Sequence, residues 1–202
     1  MVVYTTVKSR EEVLQVLDLQ KNNLPQNLTE EQMTSQGFVT VIHSYDTLKK
    51  MNDIEQSIIA KNDDRVIGYL LAMTSKSSYD IAALAPMFDE FDTIIYDNKK
   101  ISGYKYIVVG QVCIAKEWRG KGILDDCYQA YRKHFSDNYD FAITEIHAKN
   151  KRSVNAHIRI GFKIIRSYND SDNNEWHIVL WDWRKPWNLK RVFANALKIL
   201  KR

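Results

Sequence analysis

Six residues, "WRGKGI" from Trp118 to Ile123, place two glycines and two cations between the strand-like run "YIVVGQVCIA" and the helix-like run "LDDCYQAYRKHF". Glycine lets main-chain N–H groups come close to a ligand, because no Cβ stands in the way. The start of a helix adds unpaired N–H donors and a partial positive charge. Gly120, Gly122 and the amides of Ile123 and Leu124 therefore read as an anion site suited to phosphate, with Arg119 and Lys121 supplementing it. A plain strand-to-helix loop would have the same composition. No Gly-Lys-Ser/Thr closes the turn and no third glycine completes a dinucleotide fingerprint.

A second constellation lies in "NKRSVNAHIRIGF", Asn150 to Phe162. Asn150, Ser153 and His157 are spaced i, i+3 and i+7, so they share one helical face. Gly161 is placed to end that helix. An imidazole with an ordinary pKa of ~6.5 gives or takes protons near neutrality; the other reading is that His157 only packs beneath a sheet. Glu145, mid-strand in "FAITEIHA", shares a face with Ile143 and His147. A carboxylate among apolar neighbours has a raised pKa and suits a base, or it is the partner of a buried cation. A water chain to solvent is the competing route for that proton. The five histidines (43, 134, 147, 157, 177) lack ligand spacing, so no metal is expected.

Around these residues the chain predicts alternating elements. Val2–Lys8 reads as a strand, and Ser9 caps a helix carrying Val13, Val16 and Leu17 on one face. Thr29 and Gln32 form a capping-box pattern before a short second helix. "QSIIAKNDDRVIGYLLAM" reads as a hairpin about "KNDD", and residues 75–105 as a long mixed connection. Strands follow at 106–115 and 141–148 with a helix between, then a helix near 152–160 and two strands about the turn "NDSDNN". Local pairing followed by strand–helix alternation predicts a mixed α/β class with a partly antiparallel sheet.

With both motifs in place, the chain resembles the GNAT superfamily of acyl-CoA N-acyltransferases. Arg119, Gly122 and Leu124 fall at the fixed places of that family's phosphate turn, Gln/Arg-x-x-Gly-x-Gly/Ala. Asn150, Ser153, His157, Gly161 and Phe162 match its later motif in order and spacing, with His157 where a tyrosine proton donor is usual. The resemblance implies a central, mostly antiparallel twisted sheet flanked by helices. It also implies acetyl-CoA as co-substrate, with its diphosphate on the turn and its pantetheine amides along the main chain of Val112 and Ile114. The activity implied is acetyl transfer to a primary amine of a small molecule or protein; the alternative is a non-catalytic acyl-CoA-binding or regulatory module. Two departures stand out. Leu124 replaces a small residue, and Asp125 and Asp126 follow at once, where they would repel a diphosphate unless turned away.

Length and composition set the outer bounds. The 202 residues suffice for one domain with a real core, and 45% apolar residues argue against disorder. No apolar run approaches a membrane span, and no basic-then-apolar start marks a secretory leader. Two cysteines make no disulfide framework, so a cytoplasmic protein is the expectation. The net charge of +4 hides an asymmetry: Arg184 to Arg202 holds seven cations and no acid, leaving −3 on the rest. Nucleic acid is therefore not expected as a partner of the main body. We expect an acyltransferase domain over residues 1–184. Residues 185–202 are expected to form a basic amphipathic helix packed on that domain or on a partner, a sister chain in a homodimer included; the other reading is a helix lying on an anionic membrane. Between Ile81 and Asn98 four acids and no cation, beside Phe88, Phe91, Tyr96 and Tyr104, suggest either a lid for a cationic amine or a solvated loop.

Overall fold

The computed structural model describes residues 1–76 and 85–184. Among the described residues, seven strands form one sheet in the order β1 (Val2–Thr6), β2 (Ile58–Asn62), β3 (Arg65–Met73), β6 (Tyr106–Ile114), β7 (Phe141–His147), β9 (Glu175–Asp182) and β8 (Lys163–Asn169). Every pairing is antiparallel except β6 with β7. Two-residue strands β4 (Ile95–Tyr96) and β5 (Lys99–Lys100) make a separate hairpin.

Helices cover both faces, as an amphipathic layered domain requires. One face packs α1 (Arg10–Lys21), α3 (Tyr45–Ile54) and α4 (Ala85–Thr93) over a core that includes Val16, Leu48, Met51, Tyr69 and Phe91. The other packs α5 (Ile123–Phe135) and α6 (Lys151–Ile160) over Ile67, Cys127, Tyr128, Tyr131 and Phe162. The predicted capping box at Ser9 is present, with Glu12 N–H on Ser9 Oγ and Glu12 returning to the Ser9 amide. Thr29 and Gln32 make the same box for α2 (Glu30–Gln36). The hairpin about "KNDD" is β2–β3, turned through Asp63 at φ 52°.

Two parts of the chain differ from the expectation. α3 was not anticipated, although Ser44 caps it and Leu48 and Met51 bury one stripe. Within the supposed lid, α4 sinks Met87, Phe88 and Phe91 into the core, and Tyr104 packs against Phe141 at 5.3 Å. Phe88 and Phe91 are core rather than a substrate cover, and Tyr104 packs half-buried against that core, because burying rings of this size is strongly favourable. The expected C-terminal helix lies outside the described residues.

Candidate active site

The site begins where β6 parts from β7. The two strands pair only from Tyr106↔Phe141 to Val108↔Ile143. On its other side β6 is bulged: Leu70 faces Val112 and Ala72 faces Val109, so Gly110 and Gln111 together oppose Leu71. An extra residue bends a strand and increases its twist, which turns the second half of β6 away from β7. Side chains satisfy two carbonyls at the bend: Tyr131 donates to Val108 O (3.0 Å) and Thr144 to Val109 O (2.7 Å). Beyond it, Ala115 N–H bonds β3 at Ile67 O (2.8 Å). Strand alternation then turns the main chains of Val112 and Ile114 toward the cleft.

Two cavities meet in this cleft. A narrow one of about 80 Å³ lies in the gap between the strands, lined by Gly110, Gln111, Val112, Thr144 and Glu145, among others. A larger one of about 530 Å³ runs beside the glycine turn. Phe38, Val39, Val112, Asn150, Ser153 and His157 line both. Of the residues singled out in the sequence, Val112, Ile114, Arg119, Gly120, Gly122, Ile123, Leu124, Asn150, Ser153 and His157 border the larger cavity; Lys121 does not. The Lys121 ammonium instead sits 5.2 Å over the Trp118 ring.

The turn has the conformation that its glycines permit. Gly120 and Gly122 have φ of 74° and 79°, and a Cβ built on either meets no atom within 4 Å. Conformation, not crowding by the protein, therefore selects glycine here. Gly122 caps α5 without a side-chain hydrogen bond, and the first intrahelical bond after it runs from Asp126 N–H to Gly122 O. The preceding amides of the first turn are left pointing along the helix axis. Leu124 is half-buried against the core beneath α5. Both aspartates have protein partners: Asp126 accepts from Tyr4 (2.8 Å), and Asp125 pairs with Arg159 (2.5 Å). Asp125 nevertheless borders the cavity.

Arg119 takes a part that its motif position does not reveal. Its guanidinium donates to Ile114 O (2.8 Å), to Gln36 Oε1 (2.8 Å) and to Asn23 Oδ1 (2.5 Å). It is a strut joining β6 to α2 and the end of α1, and it already occupies the Ile114 carbonyl. Asn150 is a second strut. It caps α6 by accepting from Ser153 N–H (3.2 Å) and donates to Phe38 O (3.1 Å). Together they fix residues 36–38 as one wall of the larger cavity.

His157 is 2% exposed. Its Nδ1 lies 2.8 Å from Ser153 O, a pure acceptor, so the proton sits on Nδ1 and Nε2 accepts from Tyr128 Oη at 2.6 Å. Burial pushes its pKa down to about 4, against a smaller upward pull from the Ser153 carbonyl. The imidazole is therefore neutral at pH 7 with both nitrogens engaged, a poor proton donor. Glu145 differs. Burial raises its carboxyl above the usual range, opposed by the Tyr168 hydroxyl, which donates to Oε2 at 2.5 Å. Among the described residues no group of His, Cys, Asp and Glu is arranged to hold a metal.

Residues at none of the motifs' fixed positions also border the larger cavity, among them Gln36, Gly37, Phe38, Arg152, Asn155 and Arg159. The last three repeat the i, i+3, i+7 spacing of Asn150, Ser153 and His157 two residues further along α6. Gln36–Phe38 gave no such pattern beyond the end of α2 at Gly37, whose φ is 74°.

The mostly antiparallel sheet with one parallel pair, flanked by helices, is a fold shared with solved acetyltransferases, among them one of the GNAT family from Streptococcus agalactiae (10% identity, TM-score 0.61, covering 91% of this chain and 96% of that one). The chain is similar to the NatC complex bound to Gag peptide and CoA (13% identity, TM-score 0.60), covering 90% of this chain and 98% of that one. Naa50 from Arabidopsis thaliana, in complex with the bisubstrate analogue CoA-Ac-MVNAL, gives 13% identity and a TM-score of 0.60 over 90% and 99% of the two chains. The ribosomal-protein-S18-alanine N-acetyltransferase from Escherichia coli gives 8% and 0.58 over 94% and 99%. No protein-family model and no curated protein sequence matches the chain.

Proposed function

We propose that the chain transfers an acetyl group from acetyl-CoA to the primary amine of a small molecule or protein. The observation that carries this reading is the bulged β6, which opens a cleft beside Val112 in continuity with the cavity at the glycine turn. The cavity suits a cofactor with an anionic head and an amide-bearing arm. The head would lie at the first turn of α5, and the arm would pair with the main chain of Val112 like an added strand. CoA or a CoA conjugate is named in two of the similar structures. Arg152 and Arg159 border the same cavity and add positive charge. No described helix is long and apolar enough to cross a membrane, and work in the cytoplasm belongs to the same reading.

In the reaction the neutral amine nitrogen attacks the thioester carbonyl, the C–S bond breaks, and CoA leaves as a thiolate. A thiol of ordinary pKa (~8.5) departs without an obligatory proton donor, so a neutral His157 is no obstacle. Main-chain amides at the bulge would meet the developing oxyanion. The amine's proton goes to Glu145, whose raised pKa suits a base, or to water. Asp170 and Glu90, the latter paired with Arg166 at 3.4 Å, add a small upward push to the Glu145 pKa.

The alternative is a non-catalytic acyl-CoA-binding module, favoured by the engaged state of His157 and by Asp125 at the cavity edge. Titration with acetyl-CoA, followed by a thiol-release assay over an amine library, separates the two. Binding with no thiol release from any amine supports the module, and no binding at millimolar acetyl-CoA overturns both.

A further inference from the structure

We propose that Gln20 and Gln111 are positioning residues that hold the bulge of β6 in register with the acyl group, an inference resting on the acyl-transfer reading above. Gln20, on α1, is 2% exposed, and Gln111, in the bulge, is 8% exposed. Gln111 Oε1 accepts from Tyr69 Oη (2.6 Å) and from Gln20 Nε2 (2.8 Å), while Gln111 Nε2 donates to Val41 O (2.9 Å). Gln20 Nε2 also donates to His43 Nδ1 (2.8 Å), and Gln20 Oε1 accepts from His43 N–H (2.9 Å).

Only one assignment of donors satisfies this set. The His43 amide can only donate, so Gln20 presents its oxygen there and its nitrogen to both Gln111 and His43. Gln111 must then present oxygen to Gln20 and nitrogen to the Val41 carbonyl, which can only accept. Tyr69 is left one role, donor to Gln111. Neither amide can flip without leaving a buried group unpaired. A fully satisfied buried network of this kind fixes one geometry, where an apolar pair would fill the space but leave the strand free to slip.

What it fixes is the part of β6 that matters for acyl transfer. Gly110 and Gln111 are the two residues opposite Leu71, and both line the gap between β6 and β7. In a bulge the extra residue's main-chain groups fall out of the ladder, so their direction depends on what holds the side chain. The same network carries the segment from Val39, which lines both cavities, to His43. Oxyanion donors act only when held within a fraction of an ångström of the productive geometry.

The test uses Gln20→Met, close in shape and without hydrogen-bonding groups. Acetyl-CoA affinity should stay within about twofold, whereas kcat at saturating amine should fall about tenfold or more, the split expected when only transition-state contacts are lost. Amide hydrogen exchange at residues 110–112 should quicken about tenfold while β7 and β9 keep their protection. Unchanged kcat with unchanged exchange at 110–112 overturns the proposal, as does a kcat loss matched by an equal loss of acetyl-CoA binding. If the unaltered protein releases no thiol with any amine, the acyl-transfer reading fails; exchange at 110–112 then decides whether the network holds the bulge, and protection unaltered by Gln20→Met overturns it. Should Gln20→Met not fold, Tyr69→Phe, which removes one donor to Gln111 and leaves both amides, carries the same measurements.

Discussion

The Tyr128 hydroxyl stands 2.6 Å from His157 Nε2 and donates to it, inside a buried pocket whose desolvation lowers the imidazole's pKa to about 4. A histidine at the proton-donor place of its motif is thereby kept neutral. Tyr128 is itself fully buried, and burial lifts its pKa well above the ordinary phenol value, so it donates a hydrogen bond without giving up the proton.

The first prediction concerns acid stability. His157 and His43 both have folded pKa values of about 4, against ~6.5 unfolded. Between those values the unfolded chain binds more protons, so stability is lost as pH falls below ~6.5 and the loss runs on toward about 4. By pH 5 each histidine should cost about 2 kcal/mol. His157→Phe removes one of the two. At pH 7 it should destabilise by about 1–3 kcal/mol, because Tyr128 loses its acceptor. Its stability should then fall less steeply from pH 7 to pH 5 than that of the unaltered protein. Urea unfolding at three pH values tests this, and parallel profiles would refute it.

A second prediction uses the opposed influences on Glu145. Burial raises its pKa and the Tyr168 hydroxyl lowers it. If Glu145 takes the amine's proton, Tyr168→Phe should move the acidic limb of kcat/KM to higher pH. Glu145→Gln should abolish that limb and slow turnover by about 10²–10⁴-fold. An acidic limb unmoved in both variants would assign the proton to water instead.

Arg119 gives a third. Its three acceptors belong to separate parts of the chain, Asn23, Gln36 and Ile114, whereas Lys121 rests on the ring of Trp118. Arg119→Met should therefore cost about 1–3 kcal/mol of stability, the order for hydrogen bonds to a charged group, here partly buried. It should also weaken acetyl-CoA through displacement of the Gln36–Phe38 wall. Lys121→Met should leave stability within about 0.5 kcal/mol. Thermal melts with and without acetyl-CoA distinguish the pair, and equal melting temperatures would deny Arg119 its strut.

What the sequence revealed follows the range of the forces involved. Capping at Ser9 and Thr29, the hairpin about Asp63, the glycine turn and the α6 face are written in residues within one or two turns of each other, so spacing alone exposed them. α4 was misjudged because its acids lie on the solvent side of a helix whose Phe88 and Phe91 face the core. The pairing of Gln20 with Gln111 spans 91 residues and that of Arg119 with Asn23 spans 96, with no local pattern to announce either. The position of Arg119 in its motif pointed toward phosphate, and no local pattern announced the three protein acceptors that its guanidinium meets in the fold.

Two glycines with positive φ supply the last prediction, because one borders the cavity and the other does not. An alanine Cβ at Gly122 would meet no protein atom within 4 Å, whereas at Gly161, where φ is 124°, it would lie 3.1 Å from Trp181 Nε1. Left-handed backbone costs a non-glycine residue roughly 1–2 kcal/mol. Gly122→Ala should therefore destabilise by about that amount alone, and Gly161→Ala by more, since the indole must also shift. Ligand binding should rank them the other way. The new methyl at Gly122 projects where an anion would approach the first turn of α5, so acetyl-CoA affinity should fall about tenfold or more, in keeping with lost backbone contacts to a phosphate. Gly161→Ala should leave it within about twofold once the folded fraction is accounted for. Calorimetric titration of both variants with acetyl-CoA and with CoA settles the matter. Unaltered affinity in Gly122→Ala would place the diphosphate somewhere other than this turn.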